Sequence, residues 1–180
     1  MKKLSVLLIS VLMSACLLVG CGGSGEQNTE DKGNQGTTNN ETNNQKENNS
    51  YVFKLKGVDV QINAEWADIY AKLGKEDAYF ESNSCAFQGL DKVYTYGSVV
   101  IQTYPLNEVD YVYSVELKDD TVETPEGIYI GASKAEVENA YGTPSDMTDI
   151  AYIYTQGESK LNIMFDGDTV TNIVYVSISE

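Results

Sequence analysis

The sequence predicts an α+β fold of two tandem units, each a helix followed by an antiparallel meander, with the helices packed on one face of the sheets. Three observations predict it. Two stretches carry helix signals and end in glycine, near residues 63–74 and 133–142. Each is followed by short alternating apolar stretches separated by turn residues. Residues of the first half also recur in the second. At an offset of 68, Val60 matches Ile128, Ile62 matches Ile130, Ala64 matches Ala132, Ile69 matches Val137 and Gly74 matches Gly142. At an offset of 58, Tyr94 matches Tyr152, Tyr96 matches Tyr154, Asp110 matches Asp168 and Val115 matches Ile173, so the first unit holds 68 − 58 = 10 extra residues between helix and strands.

Residues 1–20 read as a secretory signal. Lys2 and Lys3 precede an apolar run from Leu4 to Val19, the charged-then-apolar order of an export signal and shorter than a membrane span. The run closes on Leu18-Val19-Gly20-Cys21 and is followed by Gly22-Gly23-Ser24-Gly25, which resembles the bacterial lipobox. That resemblance implies a diacylglycerol on the Cys21 thiol and a mature chain that begins there. Cys16, after Ser14-Ala15, is a second candidate, and an ordinary signal peptide with a chance cysteine is the alternative to both.

Residues 21–50 are expected to form a disordered polar tether. The 29 positions from Gly22 to Ser50 hold no aromatic residue and no Val, Ile, Leu or Met, too little apolar surface to offset the entropy of ordering. As a flexible coil the segment spans roughly 30 Å. Its Asn-rich composition resembles that of lipoproteins of Gram-positive bacteria, which places the chain on the outer face of the cytoplasmic membrane.

Residues 51–120 are the expected first unit and 121–180 the second. In the first, Asn63 is the expected cap, Trp66, Ile69, Tyr70 and Leu73 make one helical face, and Gly74 ends it. In the second, Ser133 with Glu136 forms a capping box, and Gly142 followed by Pro144 stops the helix. Strands are expected over 92–96, 99–104, 111–117, 151–155, 161–165 and 170–178. Turn signals fall at Gly97-Ser98, Gln156-Gly157-Glu158 and Asp166-Gly167.

The stretch Ile130-Gly131-Ala132-Ser133-Lys134-Ala135-Glu136-Val137, followed by Tyr141-Gly142-Thr143-Pro144, resembles the helix motif of the superfamily that unites β-lactamase inhibitor protein with small outer-membrane assembly lipoproteins. The first unit departs from that motif in having Asn63 at the place of Gly131. The resemblance implies helices on an antiparallel sheet, and protein binding rather than catalysis.

The composition narrows the chemistry. The net charge is −15, which disfavours nucleic acid and anionic headgroups as partners. There is no histidine and no arginine, so the commonest general base, the commonest zinc ligand and the bidentate phosphate clamp are all missing. No enzyme, cofactor or metal site is expected. Asp166-Gly167-Asp168 and Lys118-Asp119-Asp120 lack the spacing of a calcium loop and read as turns. Cys85 is the one cysteine of the expected units, and burial is expected for it from the habit of free thiols.

Tyrosine is the remaining signal, with 13 against a single tryptophan. Tyr94 and Tyr96, Tyr111 and Tyr113, and Tyr152 and Tyr154 stand two apart, so each pair shares one strand face. These six are the candidate partner-binding residues, since tyrosine offers apolar area with a polar tip. The spacing leaves open whether they face the core or solvent. The expected function is a membrane-anchored, non-catalytic protein-interaction module with an extracytoplasmic protein partner. The alternative is a small-ligand or glycan-binding lipoprotein.

Overall fold

The computed structural model describes residues 49–178. The expected signal peptide, the lipidated Cys21 and all but the last two residues of the expected tether lie outside the described residues.

A hairpin opens the described chain. β1 (Val52–Leu55) and β2 (Val58–Gln61) pair antiparallel with Val52 opposite Gln61. Lys56 and Gly57 join them at φ 50° and 79°, the left-handed pair that a two-residue hairpin turn requires. α1 (Trp66–Leu73) follows and buries Trp66, Ile69 and Leu73 along one stripe. Its cap is Glu65 rather than the expected Asn63, and Glu65 makes no side-chain capping bond. Asn63 instead sits at φ 66° and donates its backbone N–H to Val112 O. Gly131, before the other helix, also has positive φ and donates to Val170 O. Asparagine fills the first position because it tolerates left-handed backbone better than other residues that carry a Cβ.

α2 (Lys134–Tyr141) has the expected capping box, with the Ser133 hydroxyl accepting from Glu136 N and the Glu136 carboxylate accepting from Ser133 N. The Ser133 N–H and the Ser133 hydroxyl, both donating to the Glu136 carboxylate, hold that carboxyl below its usual range. Replacing Ser133 by alanine is expected to lower stability by about 1 kcal/mol. Urea unfolding measures this, and an unchanged midpoint would show that the cap contributes nothing.

The expected α+β class of two helix-then-meander units is corrected by the strands. The described chain is mostly β, with ten strands and two helices of eight residues each. The large sheet comprises β3 (Ala78–Asn83), β4 (Leu90–Tyr96), β5 (Val99–Leu106), β6 (Val109–Leu117), β7 (Asp146–Thr148), β8 (Ala151–Gln156), β9 (Ser159–Asp166) and β10 (Thr169–Ser177). Its order is β3-β4-β5-β6-β10-β9-β8-β7, antiparallel throughout. β6 pairs directly with β10, Val115 opposite Tyr175 and Leu117 opposite Ile173. That seam joins the strands of both expected units into one continuous eight-stranded sheet.

Registered neighbours share a face, so the pairings define rows across the sheet. One row runs Tyr94, Ile101, Val115, Tyr175, Leu161, Tyr154, and the next runs Tyr96, Val99, Leu117, Ile173, Ile163, Tyr152. All but Tyr152 belong to the buried core, and Tyr152 packs against it. Three elements cover this face. Trp66 of α1 lies 4.8 Å from Tyr94, Tyr141 of α2 lies 5.1 Å from Tyr154, and Phe53 of β1 lies 5.9 Å from Tyr175, measured between ring centroids. The core is therefore a single layer between the sheet and its two helices and hairpin.

Candidate functional site

The residues between the core rows point the other way. They form rows of their own, Thr95, Val100, Glu116, Val174, Asn162, Ile153 and then Val93, Gln102, Ser114, Val176, Lys160, Thr155. Among the described residues no helix or strand lies over them. An antiparallel sheet open to water on one side ordinarily carries polar residues there. This one carries Val93, Val100, Ile153, Val174 and Val176, with Phe80 and Met164 at 63 % and 42 % exposure near its margins. Glu116 is fixed within the valines by Lys118 at 2.9 Å and Asn172 at 3.0 Å.

The six tyrosines separate between the two sides. Tyr94, Tyr96 and Tyr154 are core residues at 7 %, 2 % and 5 % exposure. Tyr152 is half-buried on the same side, its hydroxyl donating to Glu138 at 2.8 Å and its ring against Phe165. These four belong to the covered side and line no open surface on the far one. Tyr111 and Tyr113 place their rings 5.7 and 6.2 Å from that of Tyr104, on the open side. Tyr113 is the extra residue where the β5–β6 register shifts, which turns its ring outward at 38 % exposure.

Burial of the paired tyrosines depends on partners for their hydroxyls. Tyr96 donates to Gly74 O at 2.9 Å, and Tyr154 donates to Gly142 O at 3.2 Å, each at the glycine that ends a helix. Burial, with neighbouring acidic groups, pushes both phenols up to about 12. In an unfolded chain they ionise near 10. The folded state thus keeps protons that the unfolded state releases. The stabilisation they provide is complete below pH ~10 and falls as pH rises toward ~12. Tyr141, raised further by burial, adds to the slope. Urea titrations between pH 8 and pH 11 should therefore show midpoints that are flat and then decline above pH ~10, and a flat profile throughout would contradict the placement of these rings.

The loop between β3 and β4 crosses one corner of the open face. Phe87 packs 5.1 Å from Tyr104, and Ser84, Cys85, Phe87, Asp91, Gln102 and Tyr113 help line a recess of about 230 Å³. Cys85 is exposed here, against the expected burial, because the loop and not a strand carries it. Asp119 accepts from Ser98 and Thr121, and those bonds hold its carboxyl low. No group of three or more metal-ligating side chains comes together among the described residues. No described helix is long and apolar enough to cross a membrane.

No family model matches the chain, and no curated protein sequence does. Among solved structures, the chain is similar to a cysteine-rich secretory protein from Staphylococcus aureus, at 13 % identity over 64 % of this chain and with a TM-score of 0.44. The match spans 44 % of that protein, and at this level it carries no argument about function.

Proposed function

We propose that the chain is a non-catalytic protein-interaction module, exported and held by a lipid on Cys21 to the outer face of the cytoplasmic membrane of a Gram-positive cell, and that it binds an extracytoplasmic protein through the open sheet face. The observation that supports this reading is the run of valines and Ile153 on a sheet face over which no described element lies. These five residues are half-buried, and a contiguous apolar patch left partly open to water on a folded domain marks an interaction surface. Tyr111 and Tyr113 supply aromatic contact at one corner, while Glu116, Asn162 and Lys160 supply polar contacts within the patch. The net charge of −15 favours a partner with a basic rim, so association should weaken as salt rises.

Two measurements test the proposal. Fatty-acid labelling in cells should mark the native chain and not Cys21→Ala, and labelling of both would sink the anchor. Co-purification from envelope fractions should give a discrete protein with the native chain and lose it with Val174→Lys, whose fold stays intact. Equal recovery by both chains would sink the face.

A further inference from the structure

We propose that two copies of the chain join edge to edge through β3, antiparallel and with a two-fold axis at Phe80, so that their sheets run into one another. The inference uses the edge of the sheet and does not rest on the partner reading of its open face.

β3 ends the sheet on its side, and among the described residues no strand pairs with its outer edge. All six of its side chains are exposed, Phe80 at 63 % and Tyr79 at 45 %. Ser84 N donates to Gly89 O, one rung beyond the Asn83–Leu90 pair. The alternation of an antiparallel ladder therefore turns the N–H and C=O of Ala78, Phe80 and Ser82 toward β4, and those of Tyr79, Glu81 and Asn83 out of the sheet. Such a row of outward donors and acceptors is a template for another strand. Edges are ordinarily blunted by shortness, proline, lysine or a bulge. β3 runs for six residues, contains neither proline nor lysine, and keeps one register with β4 throughout. β7, the opposite edge, is blunted by its length of three residues. One open edge and one blunted edge give a closed pair of copies and not a fibre.

The charges on β3 select the register of a second copy. Outward-facing residues must meet outward-facing residues, so a two-fold axis that overlaps most of the strand falls on Tyr79, Phe80 or Glu81. An axis on Tyr79 sets Glu81 against Asp77 of the second copy, and one on Glu81 sets the two Glu81 carboxylates against each other. Like charges directly opposite are unfavourable. The axis on Phe80 avoids both. It stacks Phe80 on its own copy, in a pair whose side chains approach closely, and sets Tyr79 against Glu81 twice over. Within one chain the Tyr79 hydroxyl already donates to the Glu81 carboxylate, so the chemistry of that contact is self-complementary. Because the chain carries a net charge of −15, long-range repulsion opposes the pairing, and salt should strengthen it. An extended basic segment of another protein, the other occupant that an edge could take, would show the reverse.

The test co-expresses two forms of the full chain, Ala78→Cys and Ser82→Cys, each with Cys85→Ser, and applies a mild oxidant to the cells. In the proposed register position 78 faces position 82 of the second copy at a Cα distance of about 4.5 Å, which a disulfide spans. The expected result is a covalent dimer from the mixture, well above that from either form alone. Adding Glu81→Pro to both forms removes an outward donor and no bond to β4, so the dimer should fall about tenfold while circular dichroism stays native. Should that variant unfold, Phe80→Lys is read in the same way. Oxidation of cell extracts at low and high salt should give more dimer at high salt. Three results overturn the proposal: no more dimer from the mixture than from the single forms, an undiminished dimer from a folded variant, or a dimer that falls as salt rises.

Discussion

Val115→Lys is expected to leave the chain unfolded, while Val174→Lys is expected to change its stability by no more than about 1 kcal/mol. The two valines lie on the paired strands at the seam of the sheet, yet they face opposite ways. Val115 is fully buried opposite Tyr175, in the row that meets α1, α2 and the β1–β2 hairpin. An ammonium there finds no carboxylate in its row and loses its hydration, a penalty of several kcal/mol in a domain whose total stability is of the order of 10 kcal/mol. Val174 is opposite Glu116 on the open face, where a lysine reaches water and gains a cross-strand partner. Urea unfolding of the two variants decides the matter. Similar losses in both would mean that the second face is also covered.

Tyr175→Ala is expected to cost about 3–5 kcal/mol, the range for emptying a large buried aromatic site. The ring is 1 % exposed, stands 5.5 Å from Tyr51 and 5.9 Å from Phe53, and pairs with Val115 and Leu161 on its two sides. It therefore joins the hairpin to both strands of the seam. Tyr175→Phe keeps that packing and loses only the hydroxyl, 3.5 Å from that of Tyr141, so a loss of about 1 kcal/mol is expected. Thermal or urea unfolding measures both. Near-equal losses would mean that the hydroxyl and not the ring carries the effect.

How much of this was legible in the sequence depended on the range of the interaction. The expected strands over 92–96, 99–104, 111–117, 151–155 and 161–165 lie within β4, β5, β6, β8 and β9, because alternation and a turn signal act over a few residues. The Ser133–Glu136 box is equally local. The β1–β2 hairpin carries a turn signal of the same type in Lys56-Gly57 between alternating runs. β3 and β7 carry no such pattern, since β3 is exposed at every position and β7 is three residues long. The β6–β10 seam pairs residues 56 or more positions apart, and no local signal states which edges meet.

The placement of the candidate tyrosines was legible only in part. Period two placed Tyr94 with Tyr96 and Tyr152 with Tyr154 on one face, but it could not say that α1 and α2 would cover that face, nor that Gly74 O and Gly142 O would receive two of the hydroxyls. The complementary signal was present in Val93, Val100, Val174 and Val176, apolar residues at the positions between the core residues. Strands apolar at both parities predict a sheet covered on both faces, and in this chain the second cover is the one proposed to come from a partner.

The most direct test of that claim is site-specific photo-crosslinking in intact cells, with the reactive residue at Val100 or Ile153 on the open face and at Lys72 on α1 as the comparison. The account predicts a discrete protein adduct from both open-face positions and none from Lys72. An adduct from Lys72 alone, or none from either open-face position, would contradict it.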